Sequence, residues 1–185
     1  MAKNNDFNGL GSSNIHLNNK ILFSLGTPEK HASKNSSLAQ DNLSKFGKIL
    51  EVDKQELKDA IVNKSKLDIG VFSQGHRVPQ GLTILNEKIF NVEHGPKGGD
   101  ELNLVIKGKN YGWPIITYGI NYSGTIITDK TSMDGMEQPL YYWVPSIAPS
   151  GMAAITTGLM SILKANDHIL IPDSVYGSTR RFVIE

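Results

Sequence analysis

The sequence predicts a mainly β fold with a short α/β tail at its carboxy end, and three observations predict it. Short apolar segments recur at near-regular spacing between Lys20 and Ile106. Glycine or asparagine punctuates most of the gaps between them. After Pro149 the pattern changes to helical spacing followed by one continuous apolar run. Many short strands with turn residues between them are the grammar of a sandwich, a barrel or a propeller, and helix–turn–buried strand belongs to another fold class.

Taken in order, residues 1–20 are rich in Asn, Gly and Ser, lack periodicity and read as a solvated lead-in. KILFSLG (Lys20–Gly26) is a short strand closed by glycine, and TPEKHASKNSSLAQDN (Thr27–Asn42) is a polar loop. FGKILEV (Phe46–Val52) is a second strand. DKQELKDAIVNKSK (Asp53–Lys66) has helix formers but few apolar anchors and reads as a loop or weak helix. IGVFSQG, GLTILN, KIFNVEHG and DELNLVI give four more strands, and MEQPLYYW (Met136–Trp143) reads as a strand with core and rim residues. In the tail, Met152, Ile155, Leu159 and Ile162 mark one face of a helix that Ser150 caps and Asn166 ends. HILIPD (His168–Asp173) follows as a buried strand.

Composition narrows the function. The chain has 185 residues, a net charge of +1 and no cysteine. Near-neutral charge gives no field to attract nucleic acid or a membrane surface. Without thiols, disulfides are excluded and any metal must be held by oxygen or imidazole. No apolar run approaches the roughly 20 residues of a membrane span. MAKNNDFNGLGSSN has no apolar stretch behind its lysine, so no secretory signal is expected there.

The densest chemistry lies in EHGPKGGDELNL (Glu93–Leu104). Its glycines let carbonyls converge and its acids supply hard oxygens, the mixture calcium asks for. The competing reading is a polar hairpin whose acids face water. In GHRVPQG, Arg77 is either an anion clamp in a cleft or a surface partner of a nearby acid. His94 reads as a structural hydrogen bonder. Tyr111, Trp113, Tyr118 and Tyr122 sit among glycines, where aromatics line a flat pocket or simply fill core and rim. PSGMAA opens a helix whose amides suit a phosphate.

Residues 20–153 resemble the soluble aldose sugar dehydrogenases that use pyrroloquinoline quinone (PQQ). The carrying motifs are LAQDNLSKFGKIL, GHRVPQG, EHGPKGGDELNLVIKGKNYGWP, TYGINYSG and EQPLYYWVPSIAPSGMA, in family order. The resemblance implies part of a six-bladed β-propeller over residues 1–149, an aldose substrate, and oxidation of the sugar C1 hydroxyl by hydride transfer to the quinone. It implies that Gly95 and Pro96 offer carbonyls to a calcium ion with Asp100 in its outer shell. Glu101 and Tyr111 match a second, structural calcium, and Arg77 and Tyr122 contact PQQ. Val78 stands where some members carry Asn after the arginine. The family's general-base histidine has no match, since Asn8 falls near its place and His16 lies too close to the first strand. The later blades are also unmatched, so an inactive fragment is expected. The family is periplasmic.

Residues 150–185 resemble instead the cystathionine β-lyase group of pyridoxal-phosphate enzymes, through SGMAAITTGLMSILKANDHILIPDSVYGSTRRF. That likeness implies cofactor contacts at Gly151, Met152 and Tyr176, a cytoplasmic setting, and a chimera joined at SGMA. A β fragment that binds calcium without catalysis is the third expectation.

Overall fold

The computed structural model describes residues 13–28 and 36–149. They form two four-stranded antiparallel sheets, each wound in simple sequence order. The first holds β1 (Asn14–Leu17), β2 (Lys20–Leu25), β3 (Lys48–Asp53) and β4 (Gly70–Gln74). The second holds β5 (Val78–Leu85), β6 (Lys88–His94), β7 (Asp100–Val105) and β8 (Tyr141–Trp143). Two such meanders stacked face to face are two neighbouring propeller blades, so the mainly β, partial-propeller reading holds. The predicted tail helix and the strand at His168–Asp173 lie outside the described residues.

The stack is glued by one apolar layer: Leu22, Ile49 and Phe72 from the first sheet against Leu82, Ile89 and Val105 from the second. Removing six such side chains from water is the main local driving force, at about 1.5–3 kcal/mol each. A smaller cluster, Val92 and Leu102 with Phe90 and Trp143 against them, covers the far face of the second sheet.

Register places the site. Across β5, β6 and β7 the inner face reads as three rows: Ile84–Ile89–Val105, then Leu82–Asn91–Asn103, then Pro79–Glu93–Glu101. One end of the face is apolar and the other is acidic. A bulge between Pro79 and Gly81 keeps β5 in step across this change.

Two predicted elements come out differently, and one open reading is decided. Residues 1–20 are not all lead-in: Asn14–Leu17 pairs with β2, and its Ile15 and Leu17 pack against the core. Asp53–Lys66 contains a ten-residue helix, α1 (Lys54–Asn63), with no buried residue. Asp53, the last residue of β3, caps it by accepting from Gln55 N at 2.7 Å and Glu56 N at 3.2 Å. The cap lay hidden in a strand end, and the helix has few apolar anchors because it only grazes β3, leaving Leu57 and Ala60 half-buried. The strand expected over Met136–Trp143 shrinks to Tyr141–Trp143, since Pro139 has no N–H for a ladder.

Candidate active site

At the acidic end of the second sheet the polar side chains organise one another. Asn91 Nδ2 donates to Glu93 Oε2 at 3.0 Å, and Asn103 Nδ2 donates to Glu101 Oε2 at 3.2 Å. The two amide oxygens, Asn91 Oδ1 and Asn103 Oδ1, are buried with no hydrogen-bond partner. Burial pushes the Glu101 carboxyl up to about 8, and the negative charge of Glu93 adds to the shift. Two carboxylates and two orphaned carbonyl oxygens thus share one face of the sheet, an oxygen-rich row that a proton or a cation would neutralise.

His76 ties this face to the first sheet. Fully buried, it meets Glu93 Oε2 through Nδ1 at 3.0 Å and Ser73 Oγ through Nε2 at 2.9 Å. Its ring stacks on Tyr111 with 4.6 Å between centroids. The Tyr111 hydroxyl donates to Leu104 O at 2.6 Å and accepts from Ile106 N at 2.9 Å. Burial lifts the phenol to about 12, so it stays neutral.

Arg77 follows directly. Its Nη1 donates to Gly95 O at 2.6 Å and His94 O at 3.1 Å, and its guanidinium lies over the Trp113 ring at 5.4 Å. Thr27 fixes the Arg77 carbonyl through its backbone N at 2.7 Å and Oγ1 at 3.1 Å. Gly75, at φ +79°, makes the turn out of β4, and a Cβ there would meet Asn110 Oδ1 at 2.2 Å. The His94 ring beside Arg77 has its pKa pushed down by burial, and its Nε2 has no partner.

The turn between β6 and β7 is built on Asp100. Its Oδ1 accepts from Gly95 N at 2.9 Å; its Oδ2 accepts from Ser146 Oγ at 2.7 Å, Ile147 N at 2.7 Å and Ala148 N at 2.8 Å. Gly95 is packed so closely that a Cβ would stand 2.2 Å from the carbonyl oxygens of Gly98 and Gly99.

Arg77, Glu93, Gly95, Glu101, Tyr111 and Trp113 enclose a cavity of about 10 Å³, room for one water. Of the residues predicted from sequence, Arg77, Gly95, Glu101 and Tyr111 are therefore brought together. Asp100 stands behind the turn rather than in the cavity, and Pro96 packs where Gly119 leaves no Cβ. Tyr122 is 70% exposed and does not line the cavity. Tyr118 stacks on Tyr142 at 3.8 Å in a separate surface groove, while Trp113 joins Arg77. Gly151, Met152 and Tyr176 lie outside the described residues. The alternative readings of surface-facing acids and a surface Arg77 do not hold, since Glu93, Asp100 and Arg77 are all buried. Sequence reasoning missed Asn91, Asn103 and the role of His76. The available signal was a mirrored pair, Asn-x-Glu before the turn and Glu-x-Asn after it.

Residues 3–169 match the family model for glucose/sorbosone dehydrogenases. The chain belongs to the glucose/sorbosone dehydrogenase family. Aldose sugar dehydrogenase YliI of Escherichia coli (strain K12) is 43% identical over 122 residues, covering 62% of this chain and 33% of that protein. Quinoprotein glucose dehydrogenase B of Acinetobacter calcoaceticus is 51% identical over 45 residues, 24% of this chain and 9% of that one. The apo crystal structure of the soluble aldose sugar dehydrogenase from Escherichia coli superposes with a TM-score of 0.62 at 34% identity, covering 75% of this chain and 41% of its own. The glucose/sorbosone dehydrogenase chain thus spans about a third of the curated YliI relative's length. A different likeness falls on a short stretch: a putative cystathionine beta-lyase of Rhizobium johnstonii is 50% identical over 36 residues, 20% of this chain and 9% of that protein. Among the described residues no helix is long and apolar enough to cross a membrane, and no group of three or more His, Asp or Glu side chains is arranged to hold a metal.

Proposed function

We propose that this chain carries the quinone- and calcium-binding portion of a PQQ-dependent aldose dehydrogenase. The observation that carries the reading is the convergence of Arg77, Gly95, Glu101 and Tyr111 on one cavity in a chain of the sugar dehydrogenase family. When bound, the quinone supplies the acceptor for a hydride from the sugar C1 carbon, and calcium polarises the quinone carbonyl.

The residues fit calcium by their chemistry; the cavity of about 10 Å³ has room for a single ion, so the quinone would lie outside it. Hard oxygens without donors, Asn91 Oδ1 and Asn103 Oδ1, flank a Glu101 that is held neutral only by a proton; that is a donor set for calcium rather than for a softer metal. Asp100 holds Gly95 N, which fixes the Gly95 peptide and suits an outer-shell role behind the Gly95 and Pro96 carbonyls. Arg77 presents a guanidinium on a Trp113 face, an arrangement that orients a flat anion. Tyr122 belongs to the same reading as a wall of the quinone site. No residue is assigned as the base for the sugar hydroxyl: His76 is enclosed by Ser73, Glu93 and Tyr111. The periplasm is the proposed setting, from the family resemblance.

The similarity to the putative cystathionine beta-lyase favours a second reading for the carboxy-terminal stretch. There, Gly151, Met152 and Tyr176 would face pyridoxal phosphate, residues 150–185 would form a separate unit from 1–149, and the chain would be a chimera.

Titration separates these readings. Calcium is expected to raise the melting temperature of the wild type, and Glu101→Gln to abolish that rise. Calcium stabilisation followed by saturable binding of PQQ supports the dehydrogenase site. Calcium stabilisation without PQQ binding leaves a calcium-binding β fragment, and binding of pyridoxal phosphate alone supports the lyase reading. Identical melting with and without calcium removes the calcium sites.

A further inference from the structure

We propose that Gln40 is a positioning residue for the calcium site at Glu101 and Tyr111: acting through Asn110, it sets which way the Tyr111–Gly112 peptide faces. The inference rests on the calcium reading above. Gln40 stands between β2 and β3, on the turn that follows the short helical segment Ser36–Ala39. Its Nε2 donates to Asn110 Oδ1 at 3.1 Å and to Trp113 O at 2.7 Å, and its Oε1 accepts from Asn110 Nδ2 at 2.7 Å. Asn110 and Trp113 lie in the loop after β7. One amide of the first blade therefore grips the second blade beside the cavity that Glu101, Tyr111 and Trp113 line.

The grip controls a peptide one residue further on. Asn110 Oδ1 also accepts from Gly112 N at 2.9 Å. In a planar trans peptide the N–H and the C=O point in opposite directions, so this bond fixes the direction of the Tyr111 carbonyl too. The carbonyls around it are taken: Asn110 O accepts from Glu137 N at 2.8 Å, Gly112 O from Ile115 N at 2.7 Å, and Trp113 O from Gln40. The Tyr111 carbonyl accepts from no donor among the described residues, in a residue that is 4% exposed. A buried carbonyl without a donor suits a hard cation. Nothing in the backbone resists a flip of this peptide, since Gly112 sits at φ +88°. Asn110 alone could not prevent it either. Turned over, its amide would set Nδ2 against the Gly112 N–H, donor to donor. Gln40 decides the orientation, because its Oε1 takes Asn110 Nδ2 while its Nε2 takes Asn110 Oδ1. Gln40 is fixed in turn, since Trp113 O can be met only by a donor. Its backbone N donates to Ser37 O at 2.9 Å, and the carbonyl of the preceding Ala39 accepts from Lys48 Nζ at 2.7 Å and Gly75 N at 3.1 Å.

The test titrates calcium into the full chain by calorimetry and reads the binding component that Glu101→Gln removes. Gln40→Met keeps length and bulk but lets the Asn110 amide turn over, and is expected to raise the calcium Kd more than about fivefold. Asn110→Asp supplies the decisive background, because a carboxylate offers Gly112 N an acceptor in either orientation and needs no guide. In that background Gln40→Met is expected to change the Kd less than about twofold, a rescue that a merely structural brace would not give. Asn110→Ala removes the acceptor itself and is expected to weaken binding more than about fivefold, which gives a reading even if Gln40→Met folds poorly. A wild type without the calcium component overturns both the calcium reading and this inference. A wild type that has it, with a smaller loss in Gln40→Met or in Asn110→Ala, or with a loss from Gln40→Met that persists in the Asn110→Asp background, overturns this inference alone.

Discussion

Replacing Glu101 by glutamine probes the acidic end of the second sheet most directly. In the folded chain this carboxyl is pushed from its ordinary 4.5 to about 8, by burial first and by Glu93 second. Between those two values the folded state holds a proton that the unfolded state has released. Stability of the metal-free protein therefore falls as pH rises through this window, by up to about 1.4 kcal/mol per unit. From pH 5.5 to 7.5 the loss comes to about 2 kcal/mol once sharing of the proton with Glu93 is allowed for. A chain of this size would melt several degrees lower, on the order of 4–8 °C. Urea unfolding in EDTA, followed by tryptophan fluorescence at several pH values, measures the slope. Glu101→Gln has nothing to titrate there, so its stability should be flat over the same range. Calcium should flatten the wild-type slope as well, by replacing the proton, and at a hundredfold excess over its Kd should add about 2.7 kcal/mol. Parallel pH profiles for wild type and Glu101→Gln in EDTA would refute the reasoning.

Three other expectations follow from single contacts. Asp100→Asn places an amide among four donors; it should cost about 2–4 kcal/mol and speed hydrogen exchange at Ile147 and Ala148 before the sheets. Gly95→Ala drives a Cβ to 2.2 Å from two carbonyl oxygens and should give poorly folded protein, seen as lost near-UV dichroism, with any folded fraction having lost its calcium response. Lys48, wholly buried, donates from Nζ to Leu38 O at 2.9 Å, Ala39 O at 2.7 Å and Phe46 O at 3.2 Å; Lys48→Met should lower stability by about 1–3 kcal/mol in thermal melts.

The strands after β1 were legible because apolar residues alternate over short segments and glycine or asparagine closes most of them; β1, four residues inside a polar lead-in, was not. The helix α1 was legible only as one of two alternatives, since its strongest signal is a cap that also ends a strand, and an exposed helix carries no apolar stripe to read. Arg77, Gly95, Glu101 and Tyr111 were found through motifs, and one cavity gathers them. Asp100 was found too, but spacing could not say that its carboxylate braces residues 146–148, some 46 positions away. Asn91 and Asn103 were passed over because an asparagine inside a strand looks like noise until register sets it opposite another. Tyr122 went the other way: a motif pointed to it, and the chain leaves it exposed.

The three rows across β5, β6 and β7 also act as a ruler. A slip of β6 against β7 by two residues would keep every side chain on its proper face, so alternation alone cannot forbid it. The rows can. Such a slip in one direction sets Asn91 opposite Val105, carrying an amide into the place Ile89 holds in the apolar layer, and leaves Glu93 beside Asn103 with no carboxylate partner across the strand. In the other it carries Ile89 to Asn103 and Asn91 to Glu101. Each misalignment strands polar atoms in oil or oil among charges, at several kcal/mol. The acids that make this end of the sheet hungry for a proton or a cation thus also proofread how the blade is zipped.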